Sequence, residues 1–487
     1  MSCPMSLGTL LEDWCESVPN VTVTGLNLDS RKIRPGDAFV AVAGGSAHGM
    51  QFVAEAVKHG ADVLLHNGLA TVPELPIPAV SIENLGARLS SLAARFFHAP
   101  SDRLVIAGIT GTNGKTSTAH FISQAWQRNY GHAGMIGTIG YGALNNLQPA
   151  HLTTPDALSV QRMLAECIDH GVDRVAMEVS SHALEQGRCA DIAFDVAVFT
   201  NLSRDHLDYH GTMERYAAAK RRLFTDCLPG FAVINHDDEF GKTLIKELQG
   251  VTEVLSYGTN GSSELRARVV SMDSAGMTLS LSSPWGGGTL HTALLGRFNV
   301  SNLMATAGTL ALLGMPWDQL MHQLEIMHPV PGRMHCMGGE RNQPVVVVDF
   351  AHTPDALEQA LTALRAHLHG RMVCVFGCGG DRDRGKRPLM AAVAEKLADT
   401  LVLTNDNPRD ESPERIFEDM LAGLKAPDAA QVIEDRATAI REAIHQSQPG
   451  DIILVAGKGH EAYQELQGKR VPFSDEAAVL SVLGEAA

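Results

Sequence analysis

The sequence predicts a multi-domain α/β chain whose middle and final parts are built on parallel sheets. Three observations carry that prediction. A length of 487 residues exceeds what one hydrophobic core usually serves. Short apolar runs alternate with helical stretches along most of the chain. Many of those runs stop at a polar residue, as buried parallel strands do when chemistry sits at their carboxyl ends. At about 150 residues per domain the length points to roughly three domains. With 45% apolar and 19% charged residues, neither a disordered nor a fibrous class fits.

Taken in order, residues 1–100 hold apolar runs at 39–43, 63–65 and 79–82 around a helical stretch at 51–58, predicting a small α/β domain. A Pro-Ser-Asp break near residue 100 opens a second domain, 101–333. Its apolar runs at 104–109, 175–177, 196–199 and 232–234 read as parallel strands, the second stopping at Glu178. Between about 257 and 296, Gly/Ser turns flank the alternating segments LRARVVSM and MTLSLSS, predicting antiparallel, half-buried strands. The third domain, 334–487, resumes the βα alternation with runs at 345–348, 372–376, 401–403 and 452–455, predicting a doubly wound, Rossmann-like sheet. There, Leu357, Leu361, Leu364 and Leu368 share one helical face, with Pro354 and Asp355 suited to the first turn.

Charge narrows the function classes. With 39 basic and 55 acidic residues the net charge is −16, which lacks the footprint of a general nucleic-acid binder. Anionic ligands would need locally placed cations, which screening over about 8 Å permits in an acidic protein. The eight cysteines are scattered without a CxxC pair, fitting reduced thiols, with Cys374 and Cys378 as packing residues. Residues 1–20 carry no basic segment followed by an apolar one, and nowhere do 18 apolar residues run together. These features predict a cytoplasmic protein with no membrane insertion.

The strongest local signal is Gly111-Thr112-Asn113-Gly114-Lys115-Thr116, followed by Ser117, between a strand and a helix. Glycines let backbone N–H groups approach phosphate oxygens, and the helix N-terminus adds a favourable dipole. Lys115 would reach the terminal phosphates and the Thr116 hydroxyl would meet Mg²⁺, as in P-loop ATPases. The general G-x-x-x-x-G-K-[ST] spelling is not met, because Ile109 stands where its first glycine would be. His206 and His210, spaced H-x-x-x-H, suggest zinc in isolation, but no third ligand of convincing spacing accompanies them. Lys220, beside Arg221 and Arg222, reads on spacing alone as part of a solvated basic helix face.

The GTNGKT form resembles the Mur ligase and folylpolyglutamate synthetase superfamily, ATP-dependent enzymes that join an amine to a carboxylate. TTPD, MEVSSHAL, FTNLSRDHLDYHGTMERYAAAKRRLF, GRFNVSN, PGRM, VVDFAHTPDAL, GCGGDRDRGKRP, DNPR and AGKGHE extend the resemblance to the Mur ligases across all three domains. It implies ATP-driven addition of an amino acid to UDP-N-acetylmuramoyl-L-alanyl-D-glutamate through an acyl phosphate, in peptidoglycan synthesis, by a monomer. It implies catalytic roles for Lys115, Glu178, His206 and Lys220, with Lys220 carbamylated and Mg²⁺ held by Thr116, Glu178, His206 and Lys220. ATP is implied at Gly111 to Ser117, Asn299, Asn302, Arg333 and Asp349, with closure of the third domain over the phosphate loop. The UDP-sugar dipeptide is implied at Leu28, Ser30, Gly45, Ser46, Ala47, Thr153, Thr154, Ser180, Gln186 and Arg188. Two departures stand out: His48 replaces a frequent Asp near the UDP segment, and Phe350 replaces a common Tyr.

In that family the motif matched by Asp406-Asn407-Pro408-Arg409 accompanies meso-diaminopimelate addition, whereas lysine-adding relatives usually differ at the Asn and Arg positions. Arg409 could pair bidentately with a distal carboxylate that lysine lacks. Arg382, Gly457 and Glu461 match further diaminopimelate positions, Glu461 being available to the distal ammonium. A lysine-adding enzyme and a non-catalytic nucleotide-binding protein are the competing readings; an amino-acid panel separates the first, and amino-acid-dependent ADP release the second.

Overall fold

A computed structural model describes residues 4–44, 47–68, 74–150, 152–339 and 343–485. They form two compact units, one of residues 1–264 with 305–315 and one of 265–304 with 316–487.

The first unit holds two sheets. Strands Gly25–Asn27, Asp37–Ala41, Ala61–His66 and Ala79–Ser81 pair in that order, all parallel. The helix Leu89–Phe96 covers them, its Leu92, Ala93 and Phe96 buried in one core with Val40, Val63 and Leu65. In the larger sheet Glu253–Gly258, Phe231–Asn235, Val196–Phe199, Val105–Thr110, Arg174–Glu178 and Ala133–Gly137 run parallel, and Gly140–Ala143 is antiparallel at the end. Its central strands are buried on both faces, which is why they read as continuous apolar runs. Because the strands are parallel, Thr110, Glu178 and Phe199 end at the same edge of the sheet, and the chemistry gathers there.

The second unit contains Leu265–Asp273, Gly276–Ser283 and Gly286–Thr292, antiparallel with a bulge at Val269/Ser271. Its main sheet runs His335–Gly338, Val345–Asp349, Ile452–Ala456, Met372–Phe376, Thr400–Leu403, Gln431–Val432, parallel except for the first strand. Alternate side chains feed two cores. Val347, Leu454, Cys374 and Leu403 meet Leu357, Leu361, Leu364, Met390 and Met420 on one face. Val346, Ile453, Val375 and Val402 meet Ile440, Ile444, Val479 and Val482 on the other. The sheet is doubly wound as expected. Pro354 occupies the first turn of Pro354–Arg365, capped by the Thr353 hydroxyl.

Among the described residues no helix is long and apolar enough to cross a membrane. All seven described cysteines are free. Cys374 and Cys378 lie in the first of those cores, where burial pushes both thiols up to about 12.

Candidate active site

In the first unit the turn after Val105–Thr110 needs glycine twice. Gly111 has φ +152, and a Cβ there would sit 1.8 Å from Thr200 Oγ1; Gly114 has φ +84. Asn201 fixes the loop from the neighbouring strand end, its carbonyl accepting from Thr112 N (2.8 Å) and its Oδ1 from Asn113 N (3.0 Å). No side chain caps the helix Lys115–Tyr130, and the uncapped N-terminus of a helix is an arrangement that suits an anion. Lys115 Nζ curls back onto Gly111 O (2.9 Å) and Thr112 O (2.8 Å). Burial lowers its pKa, against the pull of Glu178 and Asp205.

Glu178, at the end of its strand, is fully buried. It accepts from Thr116 Oγ1 (2.8 Å), Thr138 N (2.7 Å) and Thr138 Oγ1 (3.3 Å). A Cβ on Gly137 would fall 2.3 Å from its Oε1, so the glycine makes the space the carboxylate occupies. Burial raises this carboxyl above its ordinary pKa, although Lys115 works the other way. Such a carboxylate is short of positive charge, and with the Thr116 hydroxyl it presents the hard oxygen donors that suit Mg²⁺. Among the described residues no three His, Cys, Asp or Glu side chains gather as a metal group. Mg²⁺ does not require one, because it is usually held by one or two carboxylates plus substrate phosphates and water.

Lys220 does not lie on a solvated face. The buried stripe of the helix Met213–Thr225 is Tyr216, Ala219, Lys220, Leu223 and Phe224, the i, i+3, i+4, i+7, i+8 pattern of a core-facing helix. Lys220 is thus buried while Arg221 and Arg222 make exposed pairs with Glu247 and Asp226. That stripe was readable from the sequence and separates Lys220 from its basic neighbours. Lys220 Nζ donates to Gly111 O (2.7 Å) and stands 4.4 Å over the Tyr216 ring. Burial, then Lys115, drives its pKa well below the usual lysine value.

From Glu178 a chain of hydrogen bonds leads on. Thr138 Oγ1 meets Thr153 Oγ1 (3.1 Å), Thr154 Oγ1 donates to Glu178 O (2.8 Å), and Ser180 N donates to Thr154 Oγ1 (3.0 Å). Arg188 donates to Thr154 O (2.7 Å) and to Gln186 Oε1 (2.9 Å), and Gln186 Nε2 donates to Tyr209 OH (2.8 Å). The Tyr209 ring packs on His182, which meets His206 edge to face at 5.0 Å. His206 itself has φ +52 and pairs with Asp205 at 3.4 Å. His210 is buried, hydrogen-bonded to Ser181 Oγ at 2.9 Å. Thr138 was missed in the sequence; its signal was a hydroxyl directly after the strand Ala133–Gly137.

Of the expected UDP residues, Ser30 is buried with its hydroxyl donated to Glu55, and Leu28 and Ala47 are partly exposed. Gly45 and Ser46 lie outside the described residues.

In the second unit Asn299 and Asn302 are buried one turn apart, Asn302 Nδ2 donating to Asn299 Oδ1 (3.0 Å) and Asn299 Nδ2 to Leu295 O (2.8 Å). Asp349 ends its strand and accepts from Met334 N and Ala351 N, both at 2.8 Å; burial raises its pKa. Arg333 stacks on Phe350 at 5.0 Å, so the ring that replaces a tyrosine keeps a packing role. His352 is exposed, its ring against Phe350.

The loop after Thr400–Leu403 brings together most of the expected amino-acid residues. Asp406, Asn407 and Pro408 are buried, and Asn407 Nδ2 donates to Glu461 Oε2 (2.9 Å). Arg409 Nε pairs with Glu465 (2.9 Å) and its Nη1 donates to Gly380 O (2.8 Å). A Cβ on Gly379 would lie 3.0 Å from Arg409 Nη1 and 3.6 Å from Arg382 Cγ, which places both arginines beside that glycine; Arg382 is exposed. Gly457 has φ +118, and a Cβ there would meet Asp406 Oδ2 at 2.6 Å. Buried cations were missed, among them Lys458 and Arg436. Lys458 lies inside the AGKGHE segment. Arg436 pairs with the fully buried Asp475 (2.7 and 2.8 Å) and donates to Asn405 O (3.2 Å) and Ala456 O (3.0 Å), the carbonyls just before Asp406 and Gly457.

Three family descriptions match in succession: "Mur ligase family, catalytic domain" at 22–97, "Mur ligase middle domain" at 109–310 and "Mur ligase, glutamate ligase domain" at 332–459. A protein of Coxiella burnetii named UDP-N-acetylmuramoyl-L-alanyl-D-glutamate--2,6-diaminopimelate ligase is 47% identical, covering 94% of each chain. The chain belongs to the Mur ligase family. A Pseudomonas aeruginosa protein of the same name is 46% identical over 97% of this Mur ligase and 96% of its own length. A solved structure bearing that name is 35% identical, with TM-score 0.76 over 99% of both chains. MurF from Acinetobacter baumannii, 18% identical with TM-score 0.68 over 99% of both chains, shares the fold. The expected class, an α/β Mur ligase architecture with a P-loop parallel sheet and a doubly wound sheet, is what this Mur ligase adopts.

Proposed function

We propose that the protein is an ATP-dependent acid–amino-acid ligase that adds meso-2,6-diaminopimelate to UDP-N-acetylmuramoyl-L-alanyl-D-glutamate in peptidoglycan synthesis. The observation that carries the reading is the hydrogen-bond chain from the phosphate loop through Thr116, Glu178, Thr154 and Arg188 to Gln186. It joins an ATP-type loop to the residues assigned to the acyl substrate. Its relatives' names support the substrates.

The chemistry starts from a repulsion. A carboxylate approaching the γ-phosphate costs about 4 kcal/mol per pair of unit charges at about 4 Å and an effective dielectric of 20. Lys115, poised on two loop carbonyls, can exchange them for phosphate oxygens and offset that cost. When bound, Mg²⁺ supplies further neutralisation of the phosphates, held by Thr116 and Glu178, with His206 and Lys220 as further ligands. Lys220 is poised for carbamylation because a buried, readily deprotonated amine is the form that attacks CO₂. Gly111 to Ser117, Asn299, Asn302, Arg333 and Asp349 are assigned to ATP. Leu28, Ser30, Gly45, Ser46, Ala47, Thr153, Thr154, Ser180, Gln186 and Arg188 are assigned to the UDP-sugar dipeptide. Arg382, Asp406 to Arg409, Gly457 and Glu461 are assigned to diaminopimelate, with Arg409 facing its distal carboxylate.

We assign residues 1–100, 101–333 and 334–487 to the three domains, and place a monomer in the cytoplasm, where free buried thiols persist. The test is product mass and ADP release from purified protein with ATP, Mg²⁺, the UDP-dipeptide and either diaminopimelate, L-lysine or neither. Diaminopimelate-dependent product is expected. Lysine-dependent product would overturn the specificity, and no amino-acid-dependent turnover would overturn the ligase reading.

A further inference from the structure

Lys458 lies between two glycines that cannot be replaced without collision. A Cβ on Gly457 would meet Asp406 Oδ2 at 2.6 Å, and one on Gly459 would meet Gly332 O at 2.7 Å and Phe350 Cβ at 2.8 Å. The loop so held turns the Lys458 side chain fully inward, with none of it exposed. Its Nζ donates to Glu461 Oε2 (2.9 Å) and Asn407 Oδ1 (3.0 Å), and lies 4.0 Å from Asp406 Oδ1. A buried lysine is costly unless paired, so this one is held by what it touches, and all three partners are residues assigned above to diaminopimelate.

The hydrogen bonds determine which way each group points. Asn407 Oδ1 accepts from two donors, Lys458 Nζ and Glu465 N (3.0 Å), which fixes the amide with Nδ2 toward Glu461. Nδ2 and Lys458 Nζ then both fall on Glu461 Oε2. Oε1 takes neither bond, and the Glu461 side chain is 26% exposed. Two cations act on Asp406 and Glu461, Lys458 and Arg436, the second of them already paired with Asp475.

We infer that Lys458 is a specificity-positioning residue, which locks Asn407 and saturates one oxygen of Glu461 so that the other is presented to the distal ammonium of diaminopimelate. The inference rests on the proposed diaminopimelate ligation. Removing Lys458 takes away one of the two donors to Glu461 Oε2 and one of the two donors to Asn407 Oδ1, so the carboxylate and the amide are both held less firmly in direction.

A ligand lacking only the distal ammonium separates this role from general support of the loop. The experiment uses calorimetric dissociation constants for diaminopimelate and for 2-aminopimelate. The protein would be full-length, saturated with the UDP-dipeptide, Mg²⁺ and a non-hydrolysable ATP analogue, in the wild type, Lys458→Met and Lys458→Arg. Lys458→Met should weaken diaminopimelate about ten- to hundredfold, the range for a hydrogen bond to a charged group, while 2-aminopimelate changes less than threefold. Lys458→Arg keeps the buried charge and should give a smaller loss in the same sense. Equal weakening of both ligands, or none, in a protein whose wild type binds diaminopimelate would overturn the inference alone. A wild type that binds no diaminopimelate would overturn the parent reading and this inference with it.

Discussion

Replacing Lys220 by methionine should stabilise the ligand-free protein while abolishing its activity. The lysine is 1% exposed, and its ammonium donates to one carbonyl, Gly111 O at 2.7 Å, beside the Tyr216 ring. Methionine preserves the length of the stem and its contact with that ring. Gly111 O is not orphaned, because Lys115 Nζ also donates to it at 2.9 Å. Desolvating the ammonium costs several kcal/mol. Against that stand a charged hydrogen bond of about 1.5–3 kcal/mol and a cation–π contact of about 0.5–2 kcal/mol. The net gain for methionine is about 1–3 kcal/mol, a rise of roughly 2–12 °C in melting temperature. The sign with pH follows from linkage. The folded pKa of Lys220 lies below its unfolded value, so the penalty is full at pH below the folded pKa and fades as pH rises toward the ordinary lysine value of 10.5. Scanning calorimetry in CO₂-free buffer at pH values of about 6.5, 8 and 9.5, stepping toward that value, should therefore show the advantage shrinking. Bicarbonate should alter only the wild type, and ADP release by the variant should fall at least about 100-fold. A variant no more stable than wild type at pH 6.5, or an advantage that does not change with pH, would refute the reasoning.

Three further substitutions test other parts of the site. Arg409→Lys keeps a charge but loses the planar fork, and should raise KM for diaminopimelate about tenfold or more with KM for ATP unchanged in steady-state assays. Thr154→Val removes the hydroxyl that donates to Glu178 O and accepts from Ser180 N; it should cost about 1–3 kcal/mol in urea unfolding and weaken binding of the UDP-dipeptide. Gly111→Ala drives a methyl into Thr200 Oγ1 at 1.8 Å, and should abolish ATP binding in equilibrium dialysis while residues 406–409 are untouched.

What could be read from sequence depended on how local each cause is. The strand-end placement of Glu178 and Asp349 was legible because strands buried on both faces spell apolar runs that a charged residue closes, while the burial of Glu178 was not and the roles of both came with the resemblance. The phosphate loop was legible because its glycines answer to backbone angles set within four residues. Thr138 was not, since it meets Glu178 only through the register of adjacent parallel strands, forty positions apart in the chain. Lys220 stood among three basic residues, and only its phase relative to Tyr216 and Phe224 sets it apart. The bond from Arg409 Nε to Glu465 depends on the hairpin Tyr463–Leu466 with Lys469–Pro472, whose pairing nothing near residue 409 encodes.

The bond between Arg436 and Asp475 also has a bearing on how the chain is made. The guanidinium that steadies the carbonyls before Asp406 and Gly457 is itself neutralised by the first residue of the helix Asp475–Glu485. The central strand Ile452–Ala456 and that counter-charge are made within a short stretch of chain of each other, so the sheet closes with Arg436 still awaiting its acid. Until Asp475 is made Arg436 is a buried cation without its acid, so termination before residue 475 would yield a chain whose segment 406–409 lacks that support.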